Sequence, residues 1–190
     1  MSGMFNERKA AQAAACLLYK AGGSLPVLKL MKLMYLAERQ SLKKYGDTIT
    51  GDAFVSMPQG PVLSMTLNYM NGDRPKDSCD WPAWIADRAN YEVALKDASL
   101  IRSIDEDLLA LSEADIECLL EVWAEFGHWD TFRLRDYTHS GACPEWEDPN
   151  GSSRPIPHGR IFKALGMSAE QVQALTQRLH EQRYIEKAFA

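Results

Sequence analysis

His139 and Cys143 stand four residues apart in a chain of 190, with Cys79 and His158 elsewhere. Two chemistries use such residues. Zinc takes imidazole and thiolate ligands, and its sites announce themselves by two closely spaced ligand pairs. A nucleophilic thiol needs a base within hydrogen-bond reach. Here one loose pair lies in the stretch THSGACPEWEDPNGSSRPIPHG, rich in proline and glycine. No second pair, glycine-rich phosphate loop or nucleophile elbow accompanies it. Gly60-Pro61 lacks a following Lys-Ser/Thr and makes no phosphate cradle. No catalytic residue, metal or cofactor is assigned, and the expectation is a protein that is not an enzyme. His139, Trp146 and Trp129 are expected to fasten the long loop to the helices.

Charge supplies the other candidates. Glu113, Glu117, Glu121 and Glu125 repeat every four residues, with no Lys or Arg at the matching positions. Like charges at that spacing repel by a few tenths of a kcal/mol each, roughly. Glu113 gains from the helix N-terminus, whereas Glu121 and Glu125 do not. The run is either a solvated face or a ridge for a basic partner. Lys29, Lys32, Arg39 and Lys43 leave a narrow polar stripe on an otherwise apolar helical segment. It too is either solvated or able to meet an acidic surface. Glu117, Glu121, Glu125, Lys32 and Arg39 are thus the candidate partner contacts.

The net charge of −5 conceals an asymmetry. Residues 1–45 hold eight Lys/Arg against two Asp/Glu, leaving +6, and residues 73–150 hold seven against nineteen, leaving −12. A nucleic-acid binder shows a strong basic face. Only the N-terminal part offers one, and the acidic middle repels phosphate, so nucleic acid is not an expected partner. Two helices joined by Ala21-Gly22-Gly23-Ser24 loosely match a helix-turn-helix, which keeps a DNA-binding transcriptional regulator as the alternative. The second helix nevertheless spends its surface on leucine and methionine.

The elements that would position these residues are mainly helical. Asn6 caps a helix over 7–21, ended by Gly22-Gly23. Ser24 caps a second, over 25–45, with Pro26 in its first turn. Its positions are apolar around most of the circumference, as befits a helix buried among several others. Residues 48–50 and 54–57 read as short extended pieces. The Pro58–Pro61 turn then leads into a helix over 62–70, with Gly60 free to take φ > 0. Residues 73–81 read as a polar loop, and 84–86 and 91–95 as a small hairpin. Ser112, with Asp115 three residues on, starts a capped helix to about 126. Shorter helices follow over 131–138 and 157–165, and a last one over 169–189. The fold class is mainly α, a compact multi-helix domain with a small β-hairpin and short strands. Residues 1–150 form its main part, and 151–190 a C-terminal helical extension packed on the same unit.

An apolar content of 46% suits a globular chain. No apolar run approaches the roughly 20 residues that cross a bilayer, and MSGMFNERKAAQ lacks a signal-peptide core. Cys16, Cys79, Cys118 and Cys143 show no paired spacing and read as reduced thiols. A cytoplasmic location with no membrane association is expected.

LMKLMYLAERQSLKKYGDTITGDAFVSMPQGPV, residues 30–62, resembles the Panacea domain family of SocA-type antitoxins. The likeness rests on Lys32, Leu33, Tyr35 and Ala37, on Gly46 and Thr50, and on Phe54, Gly60, Pro61 and Val62. Leu111-Ser112, Leu134, Thr138, His139 and Trp146 extend it, so that it covers about 10–146. Met57 and Gln59 before Gly60-Pro61, and Ser64-Met65-Thr66 after it, depart from the pattern. The resemblance implies an antitoxin that neutralises a cognate protein toxin by direct binding. It also implies, for some relatives, a proteolytic adaptor that delivers the toxin to a ClpXP-type protease. A second copy of the chain is a further candidate partner.

Overall fold

The computed structural model describes residues 5–189; positions 1–4, the start of the stretch read above for a signal peptide, lie outside them. Along the chain run α1 (Glu7–Lys20), β1 (Ser24–Pro26), α2 (Val27–Tyr45), β2 (Phe54–Met57), β3 (Gly60–Leu63), α3 (Ser64–Met70), α4 (Asp80–Trp84) and β4 (Glu92–Ala94). They are followed by α5 (Ile104–Asp107), α6 (Glu113–Phe126), α7 (Thr131–His139), β5 (Arg154–Pro155), α8 (His158–Ala164) and α9 (Ala169–Phe189). The protein is mainly α, as expected.

Two N-caps form as the sequence requires. The Asn6 side chain accepts from Lys9 N–H at 2.9 Å. Ser112 and Asp115 complete a capping box at the start of α6. α1 is buried along 10–18, where five alanines and Cys16 let neighbouring helices approach closely. α2 is the hub, packed on α1, α6, α7 and β3. Its Leu30, Met31, Leu33, Met34, Tyr35 and Leu42 are each at most 2% exposed. Fully burying a side chain of that size stabilises the fold by about 1.5–3 kcal/mol, which explains why these positions are apolar.

Five expectations change. Ser24 does not cap α2: Ser24–Pro26 is a strand, antiparallel to Glu92–Ala94. Proline's fixed φ serves an edge strand as well as a first helical turn. Pro26 is itself the N-cap, and the Val27 N–H finds the Tyr91 carbonyl at 2.9 Å. The expected 84–86/91–95 hairpin shrinks to a single Ile85–Leu95 bridge, because β4 ladders with β1. The third helix begins at Ser64, two residues late, because Gly60–Leu63 pairs with β2 in the register Phe54–Leu63 and Met57–Gly60. Residues 48–50 form no strand, and the loop expected over 73–81 ends early in α4.

Pro58 and Gln59 span the β2–β3 turn and Gly60 closes it at φ +96. Proline at the first turn position and a left-handed glycine at its end suit such hairpins. The far edge of β2 is covered by β5, through Val55–Pro155 and Ser56–Arg154. Beyond it Ile156 N–H donates to Phe54 O at 2.8 Å, and the His158 ring stands edge-on to Phe54 at 5.4 Å. Leu179 of α9 is buried, and Leu175 packs over Gly46.

Candidate functional site

Most of the residues that carry the family likeness converge on the β2–β3 hairpin, which is held from behind by side chains bonded to its carbonyls. Lys32 Nζ donates to Pro61 O at 2.7 Å and Trp146 Nε1 to Met57 O at 3.0 Å. His139 Nε2 lies 3.1 Å from Pro58 O, with its Nδ1 3.0 Å from Arg135 O. The His139 and Trp146 rings meet edge to face at 4.5 Å. The expected staple is therefore His139 with Trp146. Trp129 belongs to a separate cluster with Phe126, Tyr137 and the Arg133 guanidinium.

Lys32 was expected on a solvated stripe and is instead fully buried, so it offers no surface to a partner in this arrangement. Its ammonium bonds a backbone carbonyl, and burial pulls its pKa down to about 7, with Cys143 acting weakly in the opposite direction. Arg39 has 17% of its side chain exposed and turns inward to Glu145, Nε to Oε1 at 2.7 Å. The Tyr35 hydroxyl donates to the same oxygen at 2.5 Å, and burial, then Glu145, raises the phenol's pKa well above its ordinary value. Phe54 stands edge-on to Tyr35 at 5.9 Å, which ties this pair to the hairpin.

Two further buried carboxylates, Glu38 and Asp52, organise the approach to the hairpin. Glu38 accepts from Ile49 N–H at 2.7 Å, Thr50 N–H at 2.8 Å and the Thr50 hydroxyl. Burial pushes its pKa up to about 7 against the pull of those donors. Asp52 accepts from Met65 N–H at 2.9 Å and Thr66 N–H at 2.7 Å, and so supplies α3 with the cap that Leu63 cannot. Gly46, Leu33 and Val62 complete the motif as the left-handed end of α2 and two core residues. None of Glu38, Asp52 or Glu145 was singled out from sequence. A carboxylate reads as surface unless its donors are known, and Glu145 sits in an irregular loop without periodicity.

The acidic ridge has partners inside the chain. Lys44 Nζ lies 2.8 Å from both Glu117 and Glu121. The Tyr45 hydroxyl bonds Glu117, and Gln40 bonds Glu121 at 2.7 Å. The missing counter-charge thus comes from the end of α2, not from α6 itself. Glu125 is exposed and makes no ion pair or side-chain hydrogen bond among the described residues.

The thiol–imidazole pair does not look like a nucleophile. Cys143 is 1% exposed and its pKa is pushed up to about 12 by burial, then by Glu145, while His139 is occupied by backbone carbonyls. Among the described residues no group of three or more His, Cys, Asp or Glu could hold a metal ion, and no helix is long and apolar enough to cross a membrane. Most of α2 is buried among the other helices, and its exposed residues, Lys43, Lys44 and Tyr45, lie at its C-terminal end.

Comparison with known proteins agrees with this geometry. No curated protein and no solved structure matches the chain. A family model described as "Antitoxin SocA-like, Panacea domain" matches residues 30–147, more than half of the 190. That span takes in Lys32, Tyr35, Arg39, the whole hairpin, Glu145 and Trp146, the residues that build and brace the site. On this match the chain belongs to the SocA-like antitoxin family, the family of the Panacea domain.

Proposed function

We propose that the chain is an antitoxin that neutralises a cognate protein toxin by direct protein–protein binding, without catalysis, in the cytoplasm where such a toxin would act. The family match over 30–147 carries this reading. The site's chemistry supports it: Lys32, Tyr35, Glu38, Asp52, His139 and Glu145 all bond the chain's own backbone or side chains. Side chains spent on rigidity leave recognition to shape and surface. Glu125, still unbonded at the end of the ridge, is available as a rim contact for a basic side chain of the toxin.

The test is co-expression with the product of a toxic reading frame beside this gene, in hosts with and without ClpXP. Neutralisation by occlusion restores growth in both hosts. Restoration confined to the host with the protease would make the chain an adaptor instead. Failure in both would remove the antitoxin reading for that pair.

A further inference from the structure

The braced hairpin forms one wall of an open groove of about 750 Å³ that runs between the start of α2, the β2–β3 turn and the start of α7. Its floor is apolar, with Val27, Met31, Val62 and Leu67. Two rings stand at its rim, Tyr91 at 78% and Phe132 at 63% exposed. Exposed aromatic side chains beside an apolar cleft mark interaction sites on soluble proteins.

Tyr91 is held there by its backbone. Asn90 and Tyr91 both have positive φ, +49 and +63, a conformation that asparagine tolerates and tyrosine rarely adopts. The Tyr91 carbonyl accepts from Val27 N–H at 2.9 Å, which fixes the Tyr91 backbone beside the groove. The opposite wall is equally fixed, since Met57, Pro58 and Pro61 each give a carbonyl to Trp146, His139 or Lys32. A groove ordered in advance loses little entropy when occupied.

Its charge identifies the occupant. Among the described residues that line the groove, Arg88 alone is charged. It bonds the Asn71 side-chain carbonyl and lies over the Tyr91 ring at 5.1 Å, and no carboxylate among the described residues pairs with it. Two flanking acids are engaged elsewhere, Asp87 with Arg74 at 2.7 Å and Asp130 with the Phe132 and Arg133 N–H groups of α7 at 3.0 Å, and Glu92, beside Tyr91, does not line the groove. In a chain of net charge −5, an apolar groove with one uncompensated guanidinium is complementary to an apolar segment that carries a carboxylate.

We propose that this groove is the docking site for the toxin, and that it takes an apolar segment of the toxin with an Asp or Glu side chain set over Arg88 and between Tyr91 and Phe132. The proposal rests on neutralisation by direct binding. It gives the buried bonds of the family motif a purpose, because they hold one wall of the groove in shape.

The probe is the purified product of a reading frame adjacent to this gene that is toxic when expressed alone, titrated calorimetrically into the full chain. Arg88→Glu and Gln59→Glu each place a negative charge at the groove and are expected to weaken binding ~10-fold or more, while Tyr91→Ala with Phe132→Ala weakens it ~30-fold or more. Glu117→Gln with Glu121→Gln is expected to bind within about twofold of the parent, since that face lies elsewhere. All four substitutions in the groove fall on exposed side chains, and an unchanged melting curve confirms each fold. Folded groove variants that bind like the parent overturn the groove while leaving direct binding intact. A parent chain that does not bind at all overturns direct binding, and the groove with it.

Discussion

Lys32 and Gly60 are made for each other: the lysine ammonium stands 2.7 Å from where a Cβ on Gly60 would be, and donates to the carbonyl of the next residue, Pro61, at 2.7 Å. Gly60 therefore answers two demands at once. Its φ of +96 lies where L side chains are strained, and its bare face admits Lys32 and Thr138, the latter at 3.0 Å from the same point. Gly60→Val is expected to destabilise the protein by more than ~1 kcal/mol, because strain and steric displacement add. Urea denaturation measures it. An unchanged midpoint would show that this contact does not constrain the hairpin.

Two buried ionisable groups shape stability against pH in opposite directions. Glu38 titrates at about 7 in the folded chain against an ordinary value of 4.5, so between those values the folded state holds a proton that the unfolded state has lost. Stability is then full below about pH 4.5 and falls as pH rises to about 7, by up to ~3 kcal/mol. Lys32 titrates at about 7 against 10.5, so above pH 7 the unfolded state binds the extra proton, and stability rises from about pH 7 to 10.5. Chemical denaturation of the parent across pH 4.5–10.5 should show both limbs. Glu38→Gln should flatten the acid limb and Lys32→Met the alkaline one. Slopes unchanged in both variants would contradict the buried, unpaired state of these groups.

Much of the helical frame was legible because its signals are local. Ser112 with Asp115, Asn6 with Lys9 N–H, and Gly46 at the end of α2 act within a turn or two of themselves. The strands were harder. Ser24–Pro26 is three residues long and pairs with residues more than sixty positions away, too short a run to show a period, and Gly60–Leu63 is buried at all four positions, so it lacks the alternation that marks a half-buried strand. The site divides in the same way. Gly60, His139 and Trp146 were visible through their pattern, but the bond from Tyr35 to Glu145 spans 110 residues and no local periodicity points to it. Lys32 misled because a lysine at helical spacing reads as surface until the carbonyl it bonds is known.

Glu145 is the carboxylate on which Tyr35 and Arg39 converge, at 2.5 and 2.7 Å. Glu145→Ala leaves a mostly buried guanidinium and a buried phenol without their acceptor, and is expected to cost about 3–5 kcal/mol. Tyr35→Phe loses one hydrogen bond and should cost about 1–3 kcal/mol. In a double-mutant cycle the two effects should fall well short of additive. Additive effects would mean that the hydroxyl and the carboxylate act independently.

The most direct measurement is calorimetric titration of the purified chain with the purified product of an adjacent reading frame that is toxic when expressed alone, with no protease present. The account predicts a saturable complex of micromolar affinity or tighter, about −8 kcal/mol or better, together with loss of the toxin's activity in the same mixture. Restored growth in cells without any complex between the two purified proteins would contradict it.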